Sequence, residues 1–182
     1  MKAYKFFYLI LLIIFTQFIT SCSSKNSMNP EDFKDKKPRL IIEEFLAGEV
    51  KAWGVLQNRS GKVTRQFSVI LDGKWDGQEL ILNETFNWDD GEVQTRQWKI
   101  KKIDQHNYEG TAGDVVGKAM GYCYGPAFKF EYVLLVPVKG KELKITFDDW
   151  IFKQDDRVAI NRATMTKFGF KVAVLTVVFV KD

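Results

Sequence analysis

From Gly48 to the C terminus, apolar and polar residues alternate in runs that short turn signals interrupt, and this feature constrains the fold most strongly. The runs are rich in Val, Ile, Phe, Trp and Thr, and they lack a convincing helical period. The pattern therefore predicts sequential antiparallel strands joined by short turns. The turn signals are Asn58-Arg59-Ser60-Gly61, Asp76-Gly77, Asp89-Asp90-Gly91, His106-Asn107, Lys139-Gly140 and Asp155-Asp156.

Such a meander predicts an all-β domain over residues 39–182. We expect a single up-and-down antiparallel β-barrel or strongly curved sheet, lipocalin-like, with about 9–10 strands. Closure would remove the exposed strand edges that invite aggregation. Leu40 to Leu46 is expected to form a short helix that plugs one end. The outer face is too polar for a transmembrane barrel. Its residues include Thr64, Gln66, Ser68, Asn83, Thr85, Asn87, Lys144, Thr146 and Asp148.

The turns also predict four hairpin registers, and each keeps one apolar face continuous, as a sheet with one buried face requires. They come from a two-residue Asp76-Gly77 turn, a three-residue Asp89–Gly91 loop, a Lys139-Gly140 turn and a Gln154–Arg157 loop. The predicted opposite pairs are Leu71 with Leu82, Arg65 with Trp88, Leu82 with Trp98, Glu84 with Arg96, Tyr132 with Phe147, Phe130 with Asp149, Ile151 with Ile160, and Asp149 with Arg162.

This register places five charged residues on the apolar face, where an unpaired charge is costly. One interpretation is that they close the barrel ends or form satisfied interior pairs. The other is that an excess of positive charge receives an anionic head group inside an aromatic lumen. The charged candidates are Arg65, Glu84, Arg96, Asp149 and Arg162. The candidate wall residues, which are also ordinary core residues, are Trp53, Trp98, Phe130, Tyr132 and Phe147.

The N terminus has the features of an export signal. Lys2 and Lys5 precede an uncharged run, and Ile19-Thr20-Ser21-Cys22 resembles the bacterial lipobox. This resemblance implies that residues 1–21 are a lipoprotein signal peptide and that Cys22 receives the lipid, including fatty-acyl chains such as palmitate. An uncleaved anchor helix is the alternative, and the run is barely long enough to span. Residues 22–38 are predicted to be the acylated Cys and a flexible tether.

Composition argues against several other functions. One His and two Cys exclude most zinc sites and His-based triads, and a formal charge of +4 is too mild for nucleic-acid binding. The acidic pairs Asp89-Asp90 and Asp155-Asp156 are typical of turns, and Cys123 is typical of a small core residue. No nucleophile with an adjacent base can be named. We therefore expect neither an enzyme nor a cofactor or metal site.

Between about Gly48 and Val180 the chain contains a set of distinctive motifs: Lys51-Ala52-Trp53-Gly54-Val55, Arg59-Ser60-Gly61, Phe67, Asp72-Gly73, Trp75-Asp76-Gly77, Asp90-Gly91-Glu92, Asp114-Val115-Val116-Gly117, Phe147-Asp148-Asp149-Trp150 and Asn161-Arg162-Ala163-Thr164-Met165-Thr166-Lys167-Phe168-Gly169. In these motifs the chain resembles a bacterial lipoprotein family catalogued as domain of unknown function 3833. The resemblance implies an envelope lipoprotein and no known activity. Ser23, which follows Cys22, favours the outer membrane by resemblance to lipoprotein sorting signals.

Together these observations lead to one functional hypothesis and one alternative. The hypothesis is a non-catalytic, lipid-anchored barrel on the periplasmic face of the outer membrane that binds an anionic amphiphile, such as a fatty acid or phospholipid. The alternative is a structural or interaction lipoprotein with a filled barrel that docks an envelope protein.

Overall fold

The computed structural model describes residues 28–138 and 140–182, in which ten antiparallel strands form a closed barrel. Each strand pairs with its sequence neighbours, and β10 pairs with β1 to close the circle. This confirms the predicted all-β, up-and-down barrel. Cys22 and the predicted signal peptide lie outside the described residues. The strands are β1 Gly48–Asn58, β2 Val63–Trp75, β3 Glu79–Trp88, β4 Val93–Lys102, β5 Asn107–Thr111, β6 Ala119–Tyr124, β7 Ala127–Val138, β8 Lys141–Lys153, β9 Val158–Lys167 and β10 Phe170–Lys181.

One end of the barrel, which we call the plug end, is filled by the short helix α1 (Ile42–Phe45). Ile42 is completely buried, in agreement with the plug predicted for this segment. Lys181 Nζ donates hydrogen bonds to the carbonyl oxygens of Glu44, Phe45 and Ala47, and so it fixes the C-terminal end of α1. The opposite end, which we call the rim end, carries the β1–β2, β3–β4, β7–β8 and β9–β10 hairpin tips.

A 3-10 helix, Pro30–Phe33, packs against the outer wall near the plug end. The Phe33 ring lies 5.9 Å from that of Trp150 and 5.5 Å from that of Phe152, centroid to centroid. Within the segment predicted as a flexible tether, Pro30–Phe33 is therefore a packed element, because the Phe33 ring contacts those of Trp150 and Phe152. The barrel, its plug and its core all form within residues 28–182, so we expect this segment to fold on its own.

Two of the four predicted registers are confirmed. Glu84 lies opposite Arg96, and Tyr132 lies opposite Phe147. In the β3–β4 hairpin, Gly91 has φ +86°, the left-handed conformation that a three-residue loop requires of its last residue. Along β3, β4, β7 and β8, the predicted apolar face therefore lines the barrel interior.

The β2–β3 register was wrong by two residues, although the inward face was correct. Leu71 lies opposite Glu84, and not opposite Leu82. The Asp76 carboxylate accepts hydrogen bonds from the backbone N–H groups of Gln78 and Glu79. These bonds place the two-residue turn at Gly77-Gln78, one position later than predicted.

The β8–β9 register was wrong by one residue, and a one-residue slip turns every side chain to the other face. The backbone N–H of Gln154 donates to the carbonyl oxygen of Val158, so the loop contains three residues and not four. Asp155 stabilises this shorter loop by accepting from two backbone N–H groups. As a result, Arg162 lies on the outer wall and Asn161 faces the interior.

Candidate functional site

The interior of the barrel is lined by aromatic rings. Trp98 and Phe130 have ring centroids 5.2 Å apart, and Tyr132 stacks on Phe147 at 4.9 Å. Small residues make room for these rings: a Cβ on Gly110 would lie 2.4 Å from Phe130 Cζ. Four of the five predicted wall residues therefore face the lumen.

Trp53 is the exception among the predicted wall residues. Its side chain points outward and is 52% exposed, because the inward positions of β1 are the even-numbered ones on either side of it. It lines a shallow groove on the outer wall together with Trp88. Its assignment to the lumen was wrong.

Arg96 lies at the centre of the polar part of the lumen. Its guanidinium group donates to both carboxylate oxygens of Asp114, at 2.8–3.1 Å, and it approaches Glu84 at 3.5 Å. The predicted Glu84–Arg96 pair is therefore present, but Asp114 is the stronger partner. A second hydrogen-bonded group lines the same lumen, and its carboxyl group interacts electrostatically with Glu84 and Arg96. We call the two groups together the lumen cluster: Glu84, Arg96, Asp114, Tyr132, Asp149 and Asn161.

Asp149 occupies the other side of the lumen cluster. It accepts a hydrogen bond from the Tyr132 hydroxyl at 2.9 Å and another from the Asn161 amide. Arg162, the predicted partner of Asp149, is exposed on the outer wall and makes no ion pair with it. The one-residue change in register replaces an arginine partner with an asparagine.

Burial shifts the acid–base behaviour of these carboxyl groups. Removal from water disfavours the charged form, and it raises the pKa of Glu84 to about 7 and that of Asp149 to about 6. Arg96 opposes both shifts, but burial is the larger effect. The pKa of Tyr132 is also raised, first by burial and then by Asp149, so its hydroxyl stays a hydrogen-bond donor.

Arg65 is at the rim end and not deep in the lumen. Its guanidinium carbon lies 3.9 Å from the centroid of the Trp88 ring, and it donates to Asp90 at 2.7 Å and Glu92 at 2.8 Å. Two carboxylates thus compensate this charge. With Arg162 outside, the predicted positive excess in the lumen was wrong: Arg96 faces Glu84, Asp114 and Asp149.

A gap in the barrel wall connects the lumen cluster to the surface. The β4–β5 ladder ends at Lys99 and Thr111, and beyond it the segment Ala112–Lys118 follows β7 through a bridge between Val115 and Leu134. A surface groove of about 610 Å³ lies over this gap. Arg96 lines both the groove and an inner cavity of about 100 Å³, and Asp114 closes the gap by binding it.

Asp114 and Asn161 are the members of the lumen cluster that were missed as site residues. Asp114 lies in the segment between β5 and β6, which no predicted hairpin pairs with β4, and Asn161 was placed on the outer face by the one-residue error in the β8–β9 register. Both occur in motifs of the family resemblance, Asp114-Val115-Val116-Gly117 and Asn161-Arg162, and this was the signal that could have identified them.

The remaining reactive groups are structural. The Cys123 thiol donates to the carbonyl oxygen of Leu40 at 3.4 Å, and burial raises its pKa to about 12. Within the described ranges, no three His, Cys, Asp or Glu side chains are grouped as metal ligands. Residues 28–138 and 140–182 also contain no helix that is both long and apolar enough to cross a membrane.

Comparison with known proteins identifies a family and a fold. A family model described as "Protein of unknown function (DUF3833)" matches residues 16–181. No curated protein matches the chain. A Nostoc punctiforme protein of unknown function from the DUF3598 family has a similar structure, with a TM-score of 0.60 and 15% identity. The match covers 81% of this chain and 51% of that protein, so the chain spans about half its length.

The S-type phycobiliprotein lyase CPES from Guillardia theta also has a similar structure, with a TM-score of 0.57 and 11% identity. The match covers 79% of this chain and 94% of the lyase. At these identities both similarities establish the barrel fold alone.

Proposed function

The chain belongs to the DUF3833 family of unknown function, and we propose that it is a non-catalytic, lipid-anchored barrel that binds an anionic amphiphile in its lumen. The observation that carries this proposal is the position of Arg96. Its guanidinium group faces both the aromatic lumen and the outer groove, and its principal partner is the carboxylate of Asp114.

In this proposal, Asp114 occupies the place of the ligand's head group. An incoming anion displaces the Asp114 carboxylate from Arg96, the gap between β4 and the segment Ala112–Lys118 opens, and the apolar chain enters along Trp98 and Tyr132. The inner cavity of about 100 Å³ is smaller than the roughly 300–1,000 Å³ of ordinary ligand sites. Binding therefore requires this segment to move outward.

The raised pKa values of Glu84 and Asp149 support anion binding in spite of the surplus of acids. At neutral pH both groups are near the point where they accept a proton. An anion beside Arg96 would raise these pKa values further, so its entry would be accompanied by proton uptake. We therefore expect tighter binding as the pH falls from about 8 to about 6.

The hydrogen bonds within the lumen cluster support a binding role over a catalytic one, because its charged groups already have partners. Asp149 is held by Tyr132 and Asn161, and Arg96 is held by Asp114. One fold supports many functions, so similarity to a protein called a lyase does not by itself assign catalysis to this chain.

The anchor and the location remain part of the proposal. Cys22, outside the described residues, would carry the lipid, and Ser23 would direct the protein to the periplasmic face of the outer membrane. A lipid-anchored barrel there would meet fatty acids and phospholipids at high local concentration. Labelling cells with a radioactive fatty acid, with a Cys22→Ala variant as the control, tests this part separately.

The test of lumen binding uses three probes with the same eight-carbon chain: octane-1-sulfonate, 1-octanol and octyltrimethylammonium. Titration calorimetry on residues 28–182 should show a preference of about tenfold for the sulfonate over the alcohol, since one charge-assisted contact is worth about 1.5 kcal/mol. Arg96→Gln should abolish this preference, and Asp114→Asn should strengthen sulfonate binding. Lys101→Gln, an exposed cation on the outer wall of β4, is the matched control.

A second candidate function is supported by the size of the inner cavity. At about 100 Å³ the lumen is close to filled, as expected of a structural lipoprotein that docks an envelope protein through its outer surface. If none of the three probes binds, or if all three bind equally well, the amphiphile proposal is rejected in favour of this candidate.

A further inference from the structure

The β9–β10 hairpin has an unusual residue at its tip. Lys167 pairs with Phe170, and the two residues between them, Phe168 and Gly169, have φ values of +52° and +80°. A two-residue turn with both residues in the left-handed region strongly favours Asn-Gly or Asp-Gly. A bulky aromatic residue is strained there, so the requirements of the turn do not explain Phe168.

Phe168 is also among the most exposed apolar side chains of the barrel. It is 88% exposed, and Phe170, on the same hairpin, is 77% exposed. Neither ring belongs to the hydrophobic core. Apolar side chains on the other rim-end hairpins are exposed as well, at Val63, Val93 and Val138.

Positive charge surrounds these two rings. The β9–β10 hairpin lies between the β1–β2 and β7–β8 hairpins around the barrel. The described residues of these three hairpin tips are 59–63, 138, 140–142 and 167–171. Among them, Glu142 is the single acidic residue. We call these residues the basic hairpin face. Its cations are Arg59, Lys62, Lys141, Lys167 and Lys171.

We propose that the basic hairpin face binds the surface of an anionic lipid bilayer, with Phe168 and Phe170 inserted among the lipid head groups. Aromatic rings are favoured at the boundary between apolar and aqueous phases, and lysine and arginine are attracted to anionic lipids. The strained turn holds Phe168 outward, where it meets the bilayer first. This contact requires neither a ligand in the lumen nor a lipid on Cys22, so it is independent of the function proposed above.

The experiment measures co-sedimentation of residues 28–182 with vesicles of phosphatidylcholine alone, or of phosphatidylcholine and phosphatidylglycerol in equal parts. The protein should bind the anionic vesicles at least about tenfold more tightly, and added salt should weaken this binding. Phe168→Asn should lower the affinity about tenfold. Because Asn suits the turn, this variant should remain folded.

Two controls separate a membrane contact from general surface effects. Ile103→Asn removes an apolar side chain that is 50% exposed at the plug end, and it should leave vesicle binding unchanged. Joint replacement of Lys167 and Lys171 by Ser should weaken binding to the anionic vesicles, whereas the same change at Lys99 and Lys101 on the outer wall should not.

Three results would overturn the proposal. The first is equal binding to both kinds of vesicle, and the second is undiminished binding by Phe168→Asn. The third is self-association of the protein through Phe168, detected by sedimentation without vesicles, because the face would then be an interface between two copies of the chain.

Discussion

Buried carboxyl groups behave in opposite ways at the plug end of the barrel and in the lumen cluster. At the plug end, burial of Glu43 would raise its pKa, but hydrogen bonds from Lys102 and Tyr108 outweigh burial and lower it. In the lumen cluster, burial prevails and raises the pKa values of Glu84 and Asp149. A carboxylate with all its hydrogen bonds made, such as Glu43, is expected where the plug must stay in place. Carboxyl groups that resist ionisation, such as Glu84 and Asp149, are expected where Arg96 must exchange one partner for another.

The β9–β10 turn at the rim end differs from three turns at the plug end in the same sense. At the plug end, Asp76, Asp104 and Asp155 each accept hydrogen bonds from two backbone N–H groups of their own turn. At the rim end, Phe168 occupies a left-handed position that suits Asn or Gly. The plug-end turns serve the fold, whereas this rim-end turn keeps a residue that the fold does not favour.

A substitution at Gly73 tests how firmly the plug is held in the barrel. A Cβ at Gly73 would lie 1.9 Å from the carbonyl oxygen of Leu46, which follows α1, so Gly73→Ala must displace the plug. We expect a loss of about 3 kcal/mol in the free energy of unfolding, measured with urea. Gly61→Ala at the rim end meets no atom within 4 Å and should lose only about 1 kcal/mol, from its left-handed backbone. Equal losses would contradict the distinction between the two ends.

The next effect is a pH dependence of stability that has opposite signs for the acid at the plug end and the acids of the lumen cluster. Glu84 has a higher pKa in the folded protein than in the unfolded chain. Its contribution to the free energy of unfolding is therefore fully present below about pH 4.5 and is lost as the pH rises through about 7. Between pH 5 and pH 8 this loss should be about 2 kcal/mol, and Asp149 should add to it. Urea unfolding of Glu84→Gln should show a smaller loss over this range.

Glu43→Gln serves as the control for this experiment. The pKa of Glu43 is lowered on folding. Its contribution to the free energy of unfolding is therefore present above pH 4.5 and is lost only as the pH falls below that value. The variant should keep the wild-type loss between pH 5 and pH 8. If it abolishes that loss, the assignment of the pH dependence to the lumen cluster is wrong.

Much of the fold follows from sequence patterning, and the errors share one physical cause. The β3–β4 and β7–β8 registers were correct because each turn contains a glycine at the position where the loop needs it. The β2–β3 and β8–β9 registers failed because Asp76 and Asp155 hold their turns through side-chain hydrogen bonds, which changed the position or length of the loop. Alternation of residue types does not reveal such bonds.

The same limit applies to the candidate site. Glu84 and Arg96 were paired correctly because they face each other across one hairpin. Asp114 reaches Arg96 from a segment that is not in a ladder with β4, and Asn161 replaced Arg162 through the one-residue slip. The Asp114 contact depends on how distant parts of the chain close the barrel, and the Asn161 contact depends on the length of one loop. The alternation of residue types determines neither.

A substitution at the β9–β10 turn should produce a small gain in stability. Phe168→Asn places a residue that tolerates φ +52° at the tip of the β9–β10 hairpin. The free energy of unfolding of residues 28–182 in urea should rise by about 1 kcal/mol, because the left-handed strain is relieved and an 88% exposed ring contributes little packing. Ile103→Asn, at a plug-end position without this strain, should not raise it. A loss of stability in Phe168→Asn would mean that the ring supports the hairpin. A gain would mean that the protein keeps Phe168 at the expense of its own stability, as expected of a residue retained for a contact outside the barrel.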